Sequence, residues 1–189
     1  MKTRVSINPD QVAVEEAWEH YEATRDSLVQ AAEHTKQLIL LGKTSPNARF
    51  FAMSVDEVDD FFEERLKEAD KQTCLFLVAS AEAALRVDFL QRVYDRKKDP
   101  VSRAFRDTYK IACDRSRLKV RLEEDILDIW AERVPHTKGH VGDFRGALNY
   151  RHWLAHGRYW VPKLGRQYDP SGLLRIITDL FDGIGLASQ

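Results

Sequence analysis

The spacing of apolar residues is the feature that most restricts how this chain can fold. Apolar side chains recur mainly at three- and four-residue steps, which is the period of an amphipathic helix. The first such stripe consists of Val14, Trp18, Tyr21, Leu28, Ala32 and Ile39. No segment alternates apolar and polar residues as a half-buried strand does, and no internal repeat is present. We therefore predict an all-α fold: a single-domain bundle of five to seven helices.

Capping residues predict the boundaries of the N-terminal helices. The Asn-Pro-Asp at residues 8–10 is expected to open the first helix, and Gly42 to close it. Ser54 and Glu57 form a capping box for the second helix. Residues 55–97 would make a rod of about 60 Å, so we expect either a break near Asp70–Thr73 or a helix that projects past the body.

Apolar spacing and capping residues also predict the helices of the C-terminal half. Apolar residues at four-residue steps mark one further helix: Leu122, Ile126, Trp130 and Val134. Residues 135–142 are predicted to form a loop, with Asp143 as the N-cap of the next helix and Gly157 just past its end. Asp169 and Pro170 should start a final helix. In this scheme residues 1–50 are an N-terminal helical extension packed on the bundle, and residues 51–189 form the main helical domain.

Composition restricts the classes of function. The net charge is −1, so any attraction to nucleic acid has to come from a local patch. The longest apolar run, residues 74–85, is interrupted by Glu82 and is too short to cross a bilayer, and the first residues lack the apolar run of a signal peptide. Cys74 and Cys113 are single cysteines in helical patterns and are expected to be buried. We predict a cytoplasmic protein that does not contact membranes.

The segment from Phe144 to Tyr168 departs most from the nearly balanced charge of the whole chain. It contains no Asp or Glu, although 30 of the 189 residues are acidic. Cations and aromatic rings alternate through it, and this combination suits single-stranded nucleic acid because cations bind phosphates and rings stack on bases. The predicted RNA-binding residues are Arg145, Tyr150, Arg158, Tyr159 and Lys163. In the alternative interpretation, Trp153 and Leu154 are core residues and the arginines pair with neighbouring acidic helices.

The same segment carries Arg151 and His156, separated by four residues, with the polar His152 directly after the arginine. The spacing alone is expected about 0.6 times by chance in a chain with these numbers of Arg and His. Together with "LFLVASAEAALRVDFL" upstream, however, "FRGALNYRHWLAHGRYW" resembles the HEPN superfamily (higher eukaryotes and prokaryotes nucleotide-binding) over roughly residues 55–182.

This resemblance implies an all-α bundle and, as in many members, a metal-independent endoribonuclease that acts as a dimer, for example as a toxin or phage-defence effector held by an antitoxin or inhibitor. It assigns the signature to Arg151 and His156, with His152 as the polar follower. Other members only bind nucleotides, RNA or a partner protein, so a non-catalytic binding module is the alternative. A purely structural interaction protein is a third possibility.

The chemistry of these side chains fits RNA cleavage. RNA carries its own nucleophile, the 2′-OH, so a protein has only to move protons and stabilise charge on the phosphate. Histidine changes protonation near neutrality, and arginine grips two phosphoryl oxygens at once. No cofactor or metal is required, and a 2′,3′-cyclic phosphate is the expected product. Five residues along a helix rotate a side chain by about 140°, so Arg151 and His156 do not share a face, and we expect a homodimer with a composite active site.

Three further features leave alternatives open. His152 and His156 lie one turn apart and could begin a metal site, but no third ligand is evident. Otherwise His152 orients the phosphate or supports His156, or it is an exposed histidine without a role. Glu82 is a charge in an apolar stretch; it either orients the Arg151 helix or pairs with Arg86 one turn on. The basic run at residues 115–121 either helps to carry RNA or is a solvated helix end.

Overall fold

Six α-helices form the fold in a computed structural model that describes residue 8 and residues 10–43, 47–114 and 120–186, the side chains of residues 113 and 114 excepted. The helices are α1 (Val14–Leu40), α2 (Val55–Tyr94), α3 (Pro100–Asp114), α4 (Asp128–Arg133), α5 (Lys138–Ala155) and α6 (Pro170–Ile184). The described ranges contain no strand, which confirms the predicted all-α bundle of five to seven helices. None of the helices in these ranges is both long enough and apolar enough to span a membrane.

Helix α2 is the central element, and it runs for 40 residues without the break considered near Asp70–Thr73. At the α-helical rise it is about 60 Å long. Its N-terminus has the predicted capping box: Ser54 Oγ accepts from the Glu57 N–H at 3.2 Å, and the Glu57 carboxylate accepts from the Ser54 N–H at 2.7 Å. The Ser54 hydrogen bonds hold the pKa of Glu57 below its ordinary value.

Two hydrophobic cores divide the length of α2. The main core begins at Cys74, where the second half of α2 is enclosed by α3 to α6 and by Val14 and Ala17 of α1. A smaller cluster, made of Ala32, Phe50, Val58 and Phe62, lies between α1 and the first half of α2. We refer to these two helical segments, residues 10–75, as the α1–α2 arm. The two clusters thus give the two halves of the unbroken α2 different packing partners.

A partly buried hydrogen bond joins the two helices of the arm. The Tyr21 hydroxyl donates to Asp70 Oδ1 at 2.8 Å. Burial, and then the nearby Asp70 carboxylate, raise the pKa of Tyr21 to about 12. Cys74 is buried as expected, and desolvation raises the pKa of its thiol to about 12. The side chain of Cys113 lies outside the described residues.

Two predicted helix starts are wrong. Helix α1 begins at Val14 rather than at residues 8–10, and Glu16 caps it by accepting from the Ala13 N–H. Helix α5 begins at Lys138 rather than after Asp143, preceded by a 3-10 turn over Pro135–Thr137. Tertiary packing outweighs the low helix propensity of Gly139 and Gly142 at this end of α5. Val141 is buried, and the hydroxyl of the fully buried Thr137 donates to the Val134 carbonyl at 2.8 Å.

The helix predicted over Leu122–Val134 is composite. A π-helical segment, Glu123–Leu127, precedes α4. Apolar residues at strict four-residue steps drift by about 40° per step around an α-helix, and wider π turns reduce this drift. Ile126 and Trp130 both reach the main core as a result. The other boundaries are as predicted: Gly42 has a φ of +64°, Gly157 follows the end of α5, and Asp169 caps α6 by accepting from the Gly172 N–H at 2.9 Å.

Candidate active site at the C-terminal end of α5

Helix α5 presents its apolar face to the core and its last turn to the surface. Val141, Phe144, Ala147 and Tyr150 are buried, whereas His152 and His156 are exposed. The helix ends because Gly157 and Arg158 both adopt left-handed backbone conformations, with φ of +79° and +59°. The first of these conformations is easy for glycine and the second is strained for arginine. The chain therefore turns sharply away and leaves the last helical turn open.

His152 and His156 meet at this open end. Their ring centroids are 4.2 Å apart and their planes are inclined by 53°. The His156 N–H also donates to the His152 carbonyl at 3.1 Å, so the spacing of the two rings follows from helical geometry. On the other side, the Trp160 ring lies 6.2 Å from His152, and the Trp160 carbonyl accepts from Trp153 Nε1 at 2.7 Å. The structure thus groups an imidazole pair with an anchored aromatic ring.

Arg151 points into an open groove beside this pair. The groove has a volume of about 430 Å³, and its walls include Glu82, Arg86, Arg121, Asn149, Arg151 and His152. Arg151 Nε is buried and has no hydrogen-bond acceptor in the described part of the chain. Its Nη2 lies 3.9 Å from Glu82 Oε2, beyond hydrogen-bond distance. The guanidinium is therefore held beside a carboxylate with donors to spare for a ligand.

Glu82 forms the pair with Arg86, which is one of the two alternatives that the sequence left open, and it also lies near Arg151. Its Oε1 accepts from Arg86 Nε at 3.2 Å and from Arg86 Nη2 at 2.9 Å, which is the pair one turn along α2. Its Oε2 faces Arg151 across the groove. Arg86 also donates from Nη1 to the Val120 carbonyl at 3.0 Å. The carboxylate thus links a fixed arginine on α2 to the incompletely bonded arginine on α5.

The residues predicted to bind RNA do not form one surface. Arg145 pairs with Asp128 and donates to the Glu123 carbonyl, and Arg158 forms a bidentate pair with Glu68 at 2.7 and 3.0 Å. The Arg158 hydrogen bonds hold the pKa of Glu68 below its ordinary value. Tyr159 and Lys163 are exposed, and Tyr159 stacks edge-on against Trp160.

Tyr150 is a core residue in this structure. Its ring is stacked between those of Trp153 and Tyr168, with centroids 5.7 and 5.1 Å away, and no face is open to a base. Burial raises the pKa of its hydroxyl to about 12. Arg145 and Arg158 pair with carboxylates, as the alternative interpretation of the segment has it, and Trp153 and Leu154 are partly buried against the main core.

Two groove residues were not singled out from the sequence as ligand-binding groups: Arg86 and Asn149. Arg121, a third, belongs to the basic run for which RNA binding was one of two alternatives. Asn149 lies two residues before Arg151, and no pattern distinguishes it from an ordinary exposed amide. Of the basic run at 115–121, only Val120 and Arg121 are described; residues 115–119 lie outside the described residues. No group of three or more His, Cys, Asp or Glu side chains suited to a metal ion occurs in the described ranges.

Comparison with known proteins adds no family to these observations. No family model, curated protein or solved structure matches this chain significantly. Its function therefore has to be argued from the geometry of the groove and the imidazole pair.

Proposed function

We propose that this protein is a metal-independent endoribonuclease of the HEPN type, which cleaves RNA by attack of the 2′-OH on the adjacent phosphate. The observation that carries the proposal is the position of Arg151: its partly unbonded guanidinium opens into the groove that His152 also lines, and His152 contacts His156. A phosphate in this groove would meet a permanent cation and an imidazole pair at once. These groups are the minimum that 2′-OH chemistry requires.

Each side chain has a defined part in the proposed reaction. An imidazole of the His152–His156 pair accepts the 2′-OH proton as the 2′-oxygen bonds to phosphorus, and the bond to the 5′-oxygen breaks. A second acid donates a proton to the departing 5′-oxygen, which leaves a 2′,3′-cyclic phosphate and a 5′-OH. Arg151 binds two phosphoryl oxygens while charge accumulates on them. Glu82 is a positioning residue that keeps Arg151 at the groove.

The geometry of the pair also supports a composite site. In an in-line displacement the attacking and leaving oxygens lie on opposite sides of the phosphorus, so the base and the acid have to flank the phosphate. Rings with centroids 4.2 Å apart cannot do so. The second imidazole is therefore expected from a second copy of the chain, as the different helical faces of Arg151 and His156 suggest. A monomeric form with full activity would contradict this dimer.

Cleavage in EDTA is the direct test. Purified protein should cut RNA but not DNA of the same sequence, and the 5′ fragment should end in a 2′,3′-cyclic phosphate. His156→Ala should lower kcat by roughly 10²- to 10⁴-fold, the usual contribution of a general acid or base. His20→Ala, which removes an exposed histidine on α1, is the matched control and should leave kcat unchanged. Equal activity of the His156→Ala protein, or a requirement for a metal ion, would refute the mechanism.

A non-catalytic nucleotide-, RNA- or partner-binding module is the second candidate. Glu123 and Glu124 also line the groove and offset part of its positive charge, which favours binding without strong stabilisation of a phosphorane. In that case RNA stays intact, and an Arg151→Ala substitution weakens ligand binding instead of turnover. A role as toxin or defence effector, and a cognate inhibitor, belong to the proposal only if cleavage is observed.

A further inference from the structure

The cations of the chain are distributed unevenly along α2. Residues 10–75, the α1–α2 arm, contain 15 acidic and 7 basic residues, whereas residues 76–189 contain 15 acidic and 20 basic ones. The arm therefore repels a polyanion, and the opposite end of α2 attracts one. Three of the arginines of α5 and the segment after it contribute little to this basic excess, because Arg145, Arg158 and Arg166 pair with carboxylates.

Among the residues that the structure describes, a group of unpaired cations lies where α2 turns into α3. Arg96, Lys97, Lys98 and Arg103 are all exposed. Within the described ranges, none of these four forms an ion pair. We call this set the basic corner. Asp95 and Asp107 are the exposed acids beside it, and Asp107 lies 4.0 Å from Lys110. The corner thus presents a local excess of positive charge.

The backbone of the corner is held in place by hydrogen bonds and ion pairs. Arg106 Nη1 donates to the Lys97 carbonyl at 2.6 Å. The Asp99 carboxylate accepts from the Ser102 N–H at 2.9 Å and the Ser102 hydroxyl at 2.6 Å, and it lies 3.7 Å from Arg92 Nη1. The neighbouring polar side chains are thus occupied in fixing the turn, while the four cations of the corner face solvent.

We propose that the basic corner docks the phosphate backbone of the single-stranded RNA whose scissile linkage lies at the α5 site. This inference rests on the proposed function and adds where the substrate is held. Twelve residues of α2 separate Glu82 at the groove from Tyr94 at the corner, which corresponds to about 18 Å. An RNA several nucleotides long spans that distance, whereas a dinucleotide does not. The corner then supplies affinity and orientation, and the groove supplies the chemistry.

Two matched triple variants of the full chain test the proposal. The corner variant carries Lys97→Gln, Lys98→Gln and Arg103→Gln. The arm variant carries Lys43→Gln, Lys67→Gln and Lys71→Gln and changes the net charge equally. Binding is measured in the His156→Ala background by fluorescence anisotropy with a labelled uridine oligonucleotide that is long enough to span both surfaces, across a range of salt concentrations.

The corner variant should reduce the slope of log K against log salt by about 2, since each phosphate contact of a single strand contributes about 0.7. At about 0.1 M salt its affinity should fall by roughly 10- to 100-fold. The arm variant should bind as tightly as the parent, or more tightly. With His156 restored, the corner variant should lower kcat/KM for the long RNA and leave kcat/KM for a dinucleotide unchanged.

Several results would overturn the inference: an unchanged salt slope, an equal loss in the arm variant, or binding of the corner to anionic vesicles but not to RNA. An equal loss of kcat/KM for the dinucleotide would also count against it, because the substitutions would then damage the site itself. The two proposals fail separately. If the parent binds RNA through the corner but never cuts it, only the nuclease proposal is lost; if it cuts RNA and the corner variant is unaffected, only the corner is lost.

Discussion

Replacement of Arg158 separates two opposing contributions at the end of α5. The arginine forms the bidentate pair with Glu68 that ties the turn after α5 to α2, at 2.7 and 3.0 Å. It does so with a φ of +59°, in the left-handed region that disfavours side chains with a Cβ. Arg158→Gly removes the ion pair and also relieves the backbone strain. Arg158→Ala removes the ion pair but keeps the backbone strain.

The magnitudes follow from exposure and conformation. The two charged side chains are 34% and 37% exposed, so solvent screens the pair and its contribution is about 1 kcal/mol, the upper end for partly exposed ion pairs. A left-handed non-glycine residue costs about 1 to 2 kcal/mol. Arg158→Gly should therefore leave the free energy of unfolding equal to that of the parent or raise it by up to about 1 kcal/mol. Arg158→Ala should lower it by about 1 kcal/mol, or about 2 to 4 °C in Tm.

Urea unfolding at neutral pH measures these differences, and acid titration tests the ion pair. Because Arg158 holds the folded-state pKa of Glu68 below its ordinary value, the pair stabilises the protein above the unfolded pKa. This contribution is lost as the pH falls through the lower, folded pKa. Both variants lack the ion pair, so their free energy of unfolding should fall less than that of the parent as the pH is lowered through this range. Equal stability of the Ala and Gly variants would refute the strain argument, and an unchanged acid profile would refute the pair.

Two further predictions concern buried contacts elsewhere. A Cβ at Gly146 would clash with the Tyr168 hydroxyl, so Gly146→Ala should destabilise the protein by about 1 to 2 kcal/mol despite its better helix propensity. In a Tyr168→Phe background the same change should be neutral or stabilising; destabilisation there as well would contradict the clash. Arg92→Met leaves the buried Asp88 carboxylate without the partner that donates to it at 2.8 Å, and should cost about 3 to 5 kcal/mol at pH 8. Burial already raises the pKa of Asp88, so the folded variant takes up a proton before the unfolded chain does, and the deficit should shrink toward pH 5. A deficit that is equal at both pH values in urea unfolding would refute this reasoning.

Local signals in the sequence were sufficient to predict those features in which a single residue type satisfies one requirement of the backbone. The carboxylate of Asp169 and the hydroxyl of Ser54 cap helices, Gly42 and Gly157 adopt left-handed turns, and the spacing of Leu173, Ile177 and Leu180 puts all three in the core. These features depend on neighbours within a few positions, which the sequence displays directly. The all-α architecture and the contact between His152 and His156, one helical turn apart, belong to the same class.

Only the tertiary structure decided which charged side chains form ion pairs and which remain available at the surface. Arg158 meets a carboxylate 90 residues away, Arg145 one that is 17 residues away, and both are withdrawn from the surface that an acid-free segment suggested. The unbroken α2, the early start of α5 and the π turns before α4 likewise depend on burial against distant helices, which outweighs local propensity. The Arg151 guanidinium lies at the groove with no hydrogen bond to the nearest carboxylate, Glu82, whose Oε1 is held by Arg86. The ion pairs of Arg158 and Arg145 form only when packing brings distant parts of the chain together, so the spacing of residues along one helix could not have predicted them.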